Sequence, residues 1–140
     1  MASAIDIGNQ DDIHPENKRD VGKRLAMCAL HHVYGYDQIV PSGPELFKYE
    51  VDGSRIRISF KYADGLKLKD DCVSGFAIAG KDGRFYLAEN VKVDGDTVEI
   101  SSSLVKEPCR VRYAWSNYLV PALFNAVDFP ASSFQIDLQK

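Results

Sequence analysis

Asp11, Asp12 and His14 are the residues whose types and spacing suit chemistry, in the run Asp11-Asp12-Ile13-His14-Pro15. A histidine near neutrality takes a proton from a hydroxyl and returns it to a leaving group. An adjacent carboxylate orients the ring and stabilises the imidazolium as it forms. Ester hydrolysis needs this pairing, because a serine hydroxyl is too weak a nucleophile without a base beside it. The Asp-x-x-His spacing selects Asp11 as the orienting acid, since three residues of loop fold a carboxylate back onto Nδ1; Asp12 is the reserve. Asp12 suits helix capping equally well, the commoner task of an aspartate just before a helix. His14 itself has a plainer alternative, as a histidine that only caps a helix.

The elements that must position these residues flank them. Ala4, Ile5, Asp6 and Ile7 form a short, largely apolar run that suits a buried strand of a parallel sheet. Gly8 to Asp12 is a polar loop of turn formers. His14 would then lie at the carboxyl end of a strand, where ligands bind in open parallel sheets. Pro15 disfavours helical backbone at His14 and suits the first helical position, which places His14 at a helix N-cap. A helix N-terminus disfavours the charged ring and keeps it available as a base. The helix predicted from Pro15 to Tyr34 carries Val21, Leu25, Cys28, Ala29 and Val33 at spacings of three and four, with Lys18, Arg19, Lys23 and Arg24 mostly off that stripe. Gly35 supplies its stop, and Tyr36 to Pro44 reads as a linker.

Beyond the linker the period changes to two. Ile56, Ile58, Phe60 and Tyr62 alternate with polar residues, as do Val111, Tyr113 and Trp115. Phe76, Ile78, Phe85, Leu87, Val98 and Ile100 fit shorter strands. Asp-Gly pairs at Asp52-Gly53, Asp64-Gly65, Asp82-Gly83 and Asp94-Gly95 are hairpin signals, at least three of them between apolar runs. Their spacing of about 12 residues fits an antiparallel sandwich. The fold expected is therefore mainly β: a β-sandwich over residues 37–140, preceded over residues 1–36 by one long helix and the last strand of an α/β domain.

The chain has 140 residues, 45% of them hydrophobic and 26% charged, with a net charge of −3. That is enough apolar content for a packed core, and without a basic field nucleic acid is not an expected partner. No apolar run approaches the ~20 residues that span a bilayer, so no membrane partner is expected, and no signal peptide is visible. The three cysteines Cys28, Cys72 and Cys109 read as buried thiols. Cys28, His31 and His32 fall short of a metal site in ligand number and facing, so neither metal nor cofactor is expected; a partly buried, hydrogen-bonded histidine pair fits better. Lys67, Lys69, Asp70 and Asp71 read as a solvated sheet edge. Tyr113, Trp115 and Tyr118 suit a sugar-stacking platform, core packing or contact with the expected amino-terminal half, the latter pair favoured by the inward alternation of two of them.

Asp11-Asp12-Ile13-His14-Pro15-Glu16-Asn17-Lys18 followed by Val21-Gly22-Lys23-Arg24-Leu25-Ala26 resembles the last catalytic block of the sialate O-acetylesterase family. Gly75-Phe76-Ala77-Ile78-Ala79-Gly80, Val111-Arg112-Tyr113-Ala114-Trp115 and Phe129-Pro130-Ala131-Ser132-Ser133-Phe134 resemble the same family's carboxy-terminal half, in the same order. The resemblance implies an SGNH-type hydrolase that removes acetyl groups from hydroxyls of sialic acids or other acetylated sugars. It implies catalytic roles for His14 and an aspartate, and a secreted, periplasmic or lysosomal setting. The family's nucleophilic serine lies far upstream, and no Gly-x-Ser-x-Gly elbow occurs in this chain. The chain is therefore expected to be the carboxy-terminal portion of a longer esterase, inactive alone and partnered by the amino-terminal catalytic half. The alternative is a non-catalytic carbohydrate-binding or structural β-sandwich module.

Overall fold

The strict alternation around Ile56 becomes the spine of the molecule. In a computed structural model, which describes residues 2–14, 16–69, 75–118 and 120–138, the strand Arg55–Lys61 buries Ile56, Ile58 and Phe60 and exposes Arg55, Arg57 and Lys61. Among the described residues one helix, α1 (Lys18–His32), precedes ten strands: β1 Glu45–Asp52, β2 Arg55–Lys61, β3 Lys67–Leu68, β4 Phe76–Ala79, β5 Phe85–Leu87, β6 Asn90–Asp94, β7 Thr97–Ser101, β8 Arg110–Tyr113, β9 Leu123–Phe124 and β10 Phe134–Asp137. They form two four-stranded antiparallel sheets, β1-β2-β7-β6 and β10-β8-β4-β5, and a two-stranded ribbon of β3 and β9. Ile56, Ile58, Val98 and Ile100 from the first sheet and Phe76, Ile78, Val111, Tyr113 and Ile136 from the second share one buried cluster. The fold is thus mainly β and antiparallel, a sandwich preceded by one helix, as its period-two segments imply. Among the described residues no helix is long and apolar enough to cross a membrane.

Two of the Asp-Gly pairs close tight hairpins. Gly53-Ser54 and Gly95-Asp96 are two-residue loops, and only the glycine of each has positive φ, at +60°. That is the type II′ arrangement, whose twist matches the flanking strands. Asp82-Gly83 lies in a longer β4–β5 connection. Asp64-Gly65 does not join paired neighbours; it turns the chain from β2 toward the ribbon, with Leu66 N–H donating to Ala63 O at 2.9 Å. Lys67 and Lys69, expected on a solvated edge, sit on the ribbon, Lys67 paired with Phe124 and Lys69 Nζ 3.9 Å from the centre of the Phe124 ring.

The amino-terminal part departs from expectation in three places. Ala4 to Ile7 makes a turn, with Ile7 N–H donating to Ala4 O at 3.2 Å, and is not a strand. A parallel-sheet strand cannot persist without neighbours to satisfy its backbone. The helix begins at Lys18, not at Pro15, so His14 is not its N-cap. Asn17 holds that position and accepts from Asp20 N–H at 3.1 Å, while its own amide donates to Asp20 Oδ2. Asparagine outranks histidine as a cap, and the acid three residues on completes a reciprocal pair. The stripe predicted to be buried is only partly covered: Val21, Cys28 and Ala29 are half-buried, while Leu25 is 55% and Val33 76% exposed. Arg24, placed off the stripe, is the buried residue of α1.

The helix ends near the glycine expected to stop it, Gly35 having φ +73°. The segment read as a linker is partly built in: Pro41, Ser42, Gly43 and Pro44 are buried. A Cβ on Gly43 would lie 2.0 Å from Pro130 O, so only glycine lets the two backbones meet. Pro15, Asp70, Asp71 and Cys72 lie outside the described residues.

Candidate active site

Asp11, Asp12 and His14 stand together on an exposed loop between the amino-terminal turn and α1. The loop is shaped by its own side chains: Asn9 Oδ1 accepts from Asp11 N–H at 2.9 Å, and Asp12 Oδ1 accepts from His14 N–H at 2.8 Å. Such Asx turns set the backbone without help from a sheet. Asp12 is therefore brought to the main chain of His14 and not to its ring. Asp11 is brought to neither, and its carboxylate makes no hydrogen bond to a described residue. The imidazole is likewise without a hydrogen bond among the described residues and faces solvent.

Behind this loop lies the one feature of the region that the sequence did not disclose. Arg24 holds Asp6 in a two-pronged ion pair, Nη1 to Oδ1 at 2.5 Å and Nη2 to Oδ2 at 2.7 Å, and Nη1 also donates to Ser3 O at 2.8 Å. The two side chains are 8% and 16% exposed. The guanidinium carbon sits 5.3 Å from the centre of the Phe129 ring. One arginine thus ties the amino-terminal turn to α1 and α1 to the sandwich. The hydrogen bond to Asp6, opposed by burial and aided by the field of Asp6 and Asp20, raises the Arg24 pKa above its ordinary value. A signal was present in the sequence: an aspartate inside an apolar run must find a cationic partner if it is covered.

His31 and His32 do not converge with Cys28 on an ion: among the described residues no group of three or more possible ligands assembles. His31 Nδ1 donates to Ile39 O at 2.8 Å, and its ring meets those of His32 and Tyr62 edge-on. It borders a cavity of about 420 Å³ also lined by Asp37, Gln38, Asp64 and Asn125. Asn125 is fully used there, donating to Ser42 O and Tyr62 O and accepting from Phe129 N–H.

The aromatic residues divide. Tyr113 is in the core, with Phe76 at 4.7 Å and Phe134 at 5.4 Å between ring centres, and its hydroxyl oxygen accepts from Leu123 N–H. Trp115 does not follow it inward. Ala114 has φ +49°, which reverses the alternation and turns the indole outward, 55% exposed.

An antiparallel β-sandwich with a helix and an Asp-x-x-His loop on its amino-terminal side is the class that fold and loop define. Among solved structures, the chain is similar to a carbohydrate acetylesterase from Xanthomonas citri, at 42% identity and a TM-score of 0.87. The match covers 96% of this chain and 31% of that protein, so the chain spans about a third of its length. Identity at that level makes the likeness one of sequence as well as of fold. No protein-family model and no curated protein matches the chain.

Proposed function

We propose that this chain is the carboxy-terminal portion of a longer serine esterase that removes O-acetyl groups from sugars, and that His14 with Asp11 or Asp12 is the acid–base part of its triad. The likeness to a carbohydrate acetylesterase over nearly the whole chain is the observation that carries this reading. The family resemblance in the sequence adds the finer assignment: a sialate O-acetylesterase with an SGNH-type catalytic domain, acting on acetylated sialic acid.

In the proposed reaction a serine of the amino-terminal half attacks the acetyl carbonyl while His14 takes the hydroxyl proton. The tetrahedral intermediate collapses, the sugar oxygen leaves with that proton, and the acetyl group stays on the serine. A water then attacks, giving its proton to His14, and acetate departs as the serine recovers it. Asp11 is the acid left to turn onto Nδ1, because Asp12 already accepts from the His14 main chain. A short exposed loop permits that turn when the remainder of the enzyme packs against it.

In the full-length enzyme, His14→Ala is expected to lower kcat on an aryl acetate by about 10⁴-fold. Asp11→Asn should cost more than Asp12→Asn. A His14→Ala enzyme of ordinary rate overturns the assignment, and the isolated chain should show no turnover. The exposed Trp115 favours a second reading, a non-catalytic carbohydrate-binding module in which Asp11 and His14 only shape a loop. The same His14→Ala measurement separates the two.

A further inference from the structure

We propose that Trp115 and the depression beside it form a binding site for one ring of a neutral pyranose, separate from the Asp-x-x-His loop. The inference stands on the sandwich alone, whether or not His14 is catalytic.

The backbone is bent to present this side chain. Ala114 occupies the left-handed region at φ +49°, which costs a residue with a Cβ about 1–2 kcal/mol. With ordinary strand backbone, Trp115 would have continued the inward series of Val111 and Tyr113. Strain that moves a large apolar ring from the core into water is doubly unfavourable for folding, which points to a use for the ring outside.

The ring is also braced. Arg112, on the outer face of β8, lies with its guanidinium carbon 4.0 Å from the centre of Phe85 and 5.1 Å from that of Trp115. Its Nε donates to Gln135 Oε1 at 2.8 Å, which helps hold the guanidinium between the two rings. A platform held in this way loses little side-chain freedom when something stacks on it.

What borders the open side is polar but uncharged. A depression of about 280 Å³ is lined by Ala114, Trp115, Ser116, Asn117 and Ser133, without Arg112. Ser116 Oγ donates to Tyr118 O at 3.0 Å and keeps its lone pairs. The Asn117 amide and the Ser133 hydroxyl make no hydrogen bond to a described residue, so donors and acceptors of both kinds edge an exposed indole. A pyranose has the complementary surface: a face of C–H groups for the indole and a rim of hydroxyls that both donate and accept. The volume, at the small end for a ligand pocket, suits one ring. Among the described residues no ionic side chain lines the depression, so recognition there rests on stacking and hydroxyl contacts. Ser133 also borders a second, smaller groove reaching Ser3, so a longer glycan would run from Trp115 toward the amino-terminal segment.

Trp115 is the only tryptophan in the chain, so its emission reports this site alone. The 140-residue chain would be titrated with cellohexaose, mannohexaose and xylohexaose, with free N-acetylneuraminic acid as the charged control. At least one neutral oligosaccharide should give a saturable change in emission, and the acid none at the same concentration. By calorimetry Trp115→Ala should weaken that binding about tenfold or more; Asn117→Ala, which keeps the fluorophore, should weaken it severalfold, with circular dichroism confirming both folds. Silence from all three oligosaccharides, response to the acid alone, or affinity unchanged in Trp115→Ala would each overturn the proposal.

Discussion

The sandwich and the helix before it meet their apolar requirements in opposite ways. On the facing sides of the two sheets, Ile56, Ile58, Phe76, Ile78, Val98, Ile100, Val111 and Tyr113 are fully buried against one another. On α1 the apolar stripe is only half covered, with Leu25 and Val33 largely in water, and the fully buried residue is a charged one, Arg24, held by Asp6. One region makes its own core; the other is held by the Arg24–Asp6 clasp and, at its far end, by His31 against Ile39 and Tyr62. An apolar stripe therefore records that a face is to be covered, and leaves open which surface covers it. On the proposed reading, the amino-terminal half of the esterase supplies the surface that α1 lacks.

The largest test of the contrast is in the sandwich. Phe76 is fully buried between Tyr113 and Phe134, so Phe76→Ala should cost about 3–5 kcal/mol and lower the unfolding midpoint in urea for every probe of the sheets together. A loss under ~1 kcal/mol would mean that the core tolerates a large void and is less self-sufficient than its burial suggests.

Arg24→Met comes next. It leaves Asp6 covered and unpaired, at a cost of about 1–3 kcal/mol, but the damage should be local. Amide exchange should quicken over Lys18–His32 and the amino-terminal turn, while the strands keep their protection. Equal loss in both regions would show one cooperative unit and erase the distinction.

How much of this was legible in the sequence follows the same division. Where side chains answer to neighbours within the chain, the period gave the answer: Ile56, Ile58 and Phe60 inward, Gly53 and Gly95 at hairpins. β1 was missed although Phe47, Tyr49 and Val51 alternate with Lys48, Glu50 and Asp52; it is a sheet-edge strand with seven of its eight positions exposed, so its alternation marks no core. Trp115 was misplaced because one residue with positive φ, Ala114, shifts every side chain after it to the other face. The expected strand at Ala4 to Ile7 and part of the long helix stripe failed for another reason: among the described residues no strand pairs with Ala4 to Ile7, and nothing covers Leu25 and Val33. Asp11, Asp12 and His14 share the loop that was expected, but its fine geometry is set by Asx turns, and Asn17 takes the cap assigned to His14.

Leu25 offers a smaller and sharper comparison. In this chain Leu25→Ala should change stability by less than about 0.5 kcal/mol, because the side chain is mostly in water and alanine favours helix. In the proposed full-length esterase the same substitution should cost about 2 kcal/mol or more if the face is covered there. Parallel thermal melts of the two proteins give the answer, and equal small shifts would remove α1 from the proposed contact.

The smallest effect sets one ion pair against the other. Lys67 Nζ lies 2.7 Å from Asp128 Oδ1 at the rim of the sandwich, with both side chains largely in water. The hydrogen bond and charge of Lys67 hold the Asp128 carboxyl below its usual 3.8. A carboxyl depressed in the folded state stabilises the fold above its unfolded value, and that contribution is lost as pH falls through the folded one. Its window therefore lies at and below the usual 3.8, well under neutrality. Following the Asp128 side chain by NMR should show a midpoint below 3.8 that rises toward it in Lys67→Met. Because solvent and salt screen an exposed pair, the unfolding midpoint at neutral pH should hardly move in that variant. Arg24→Met should move local exchange already at neutral pH. If Lys67→Met proved the more disruptive of the two, burial would not be what gives the Arg24 clasp its strength.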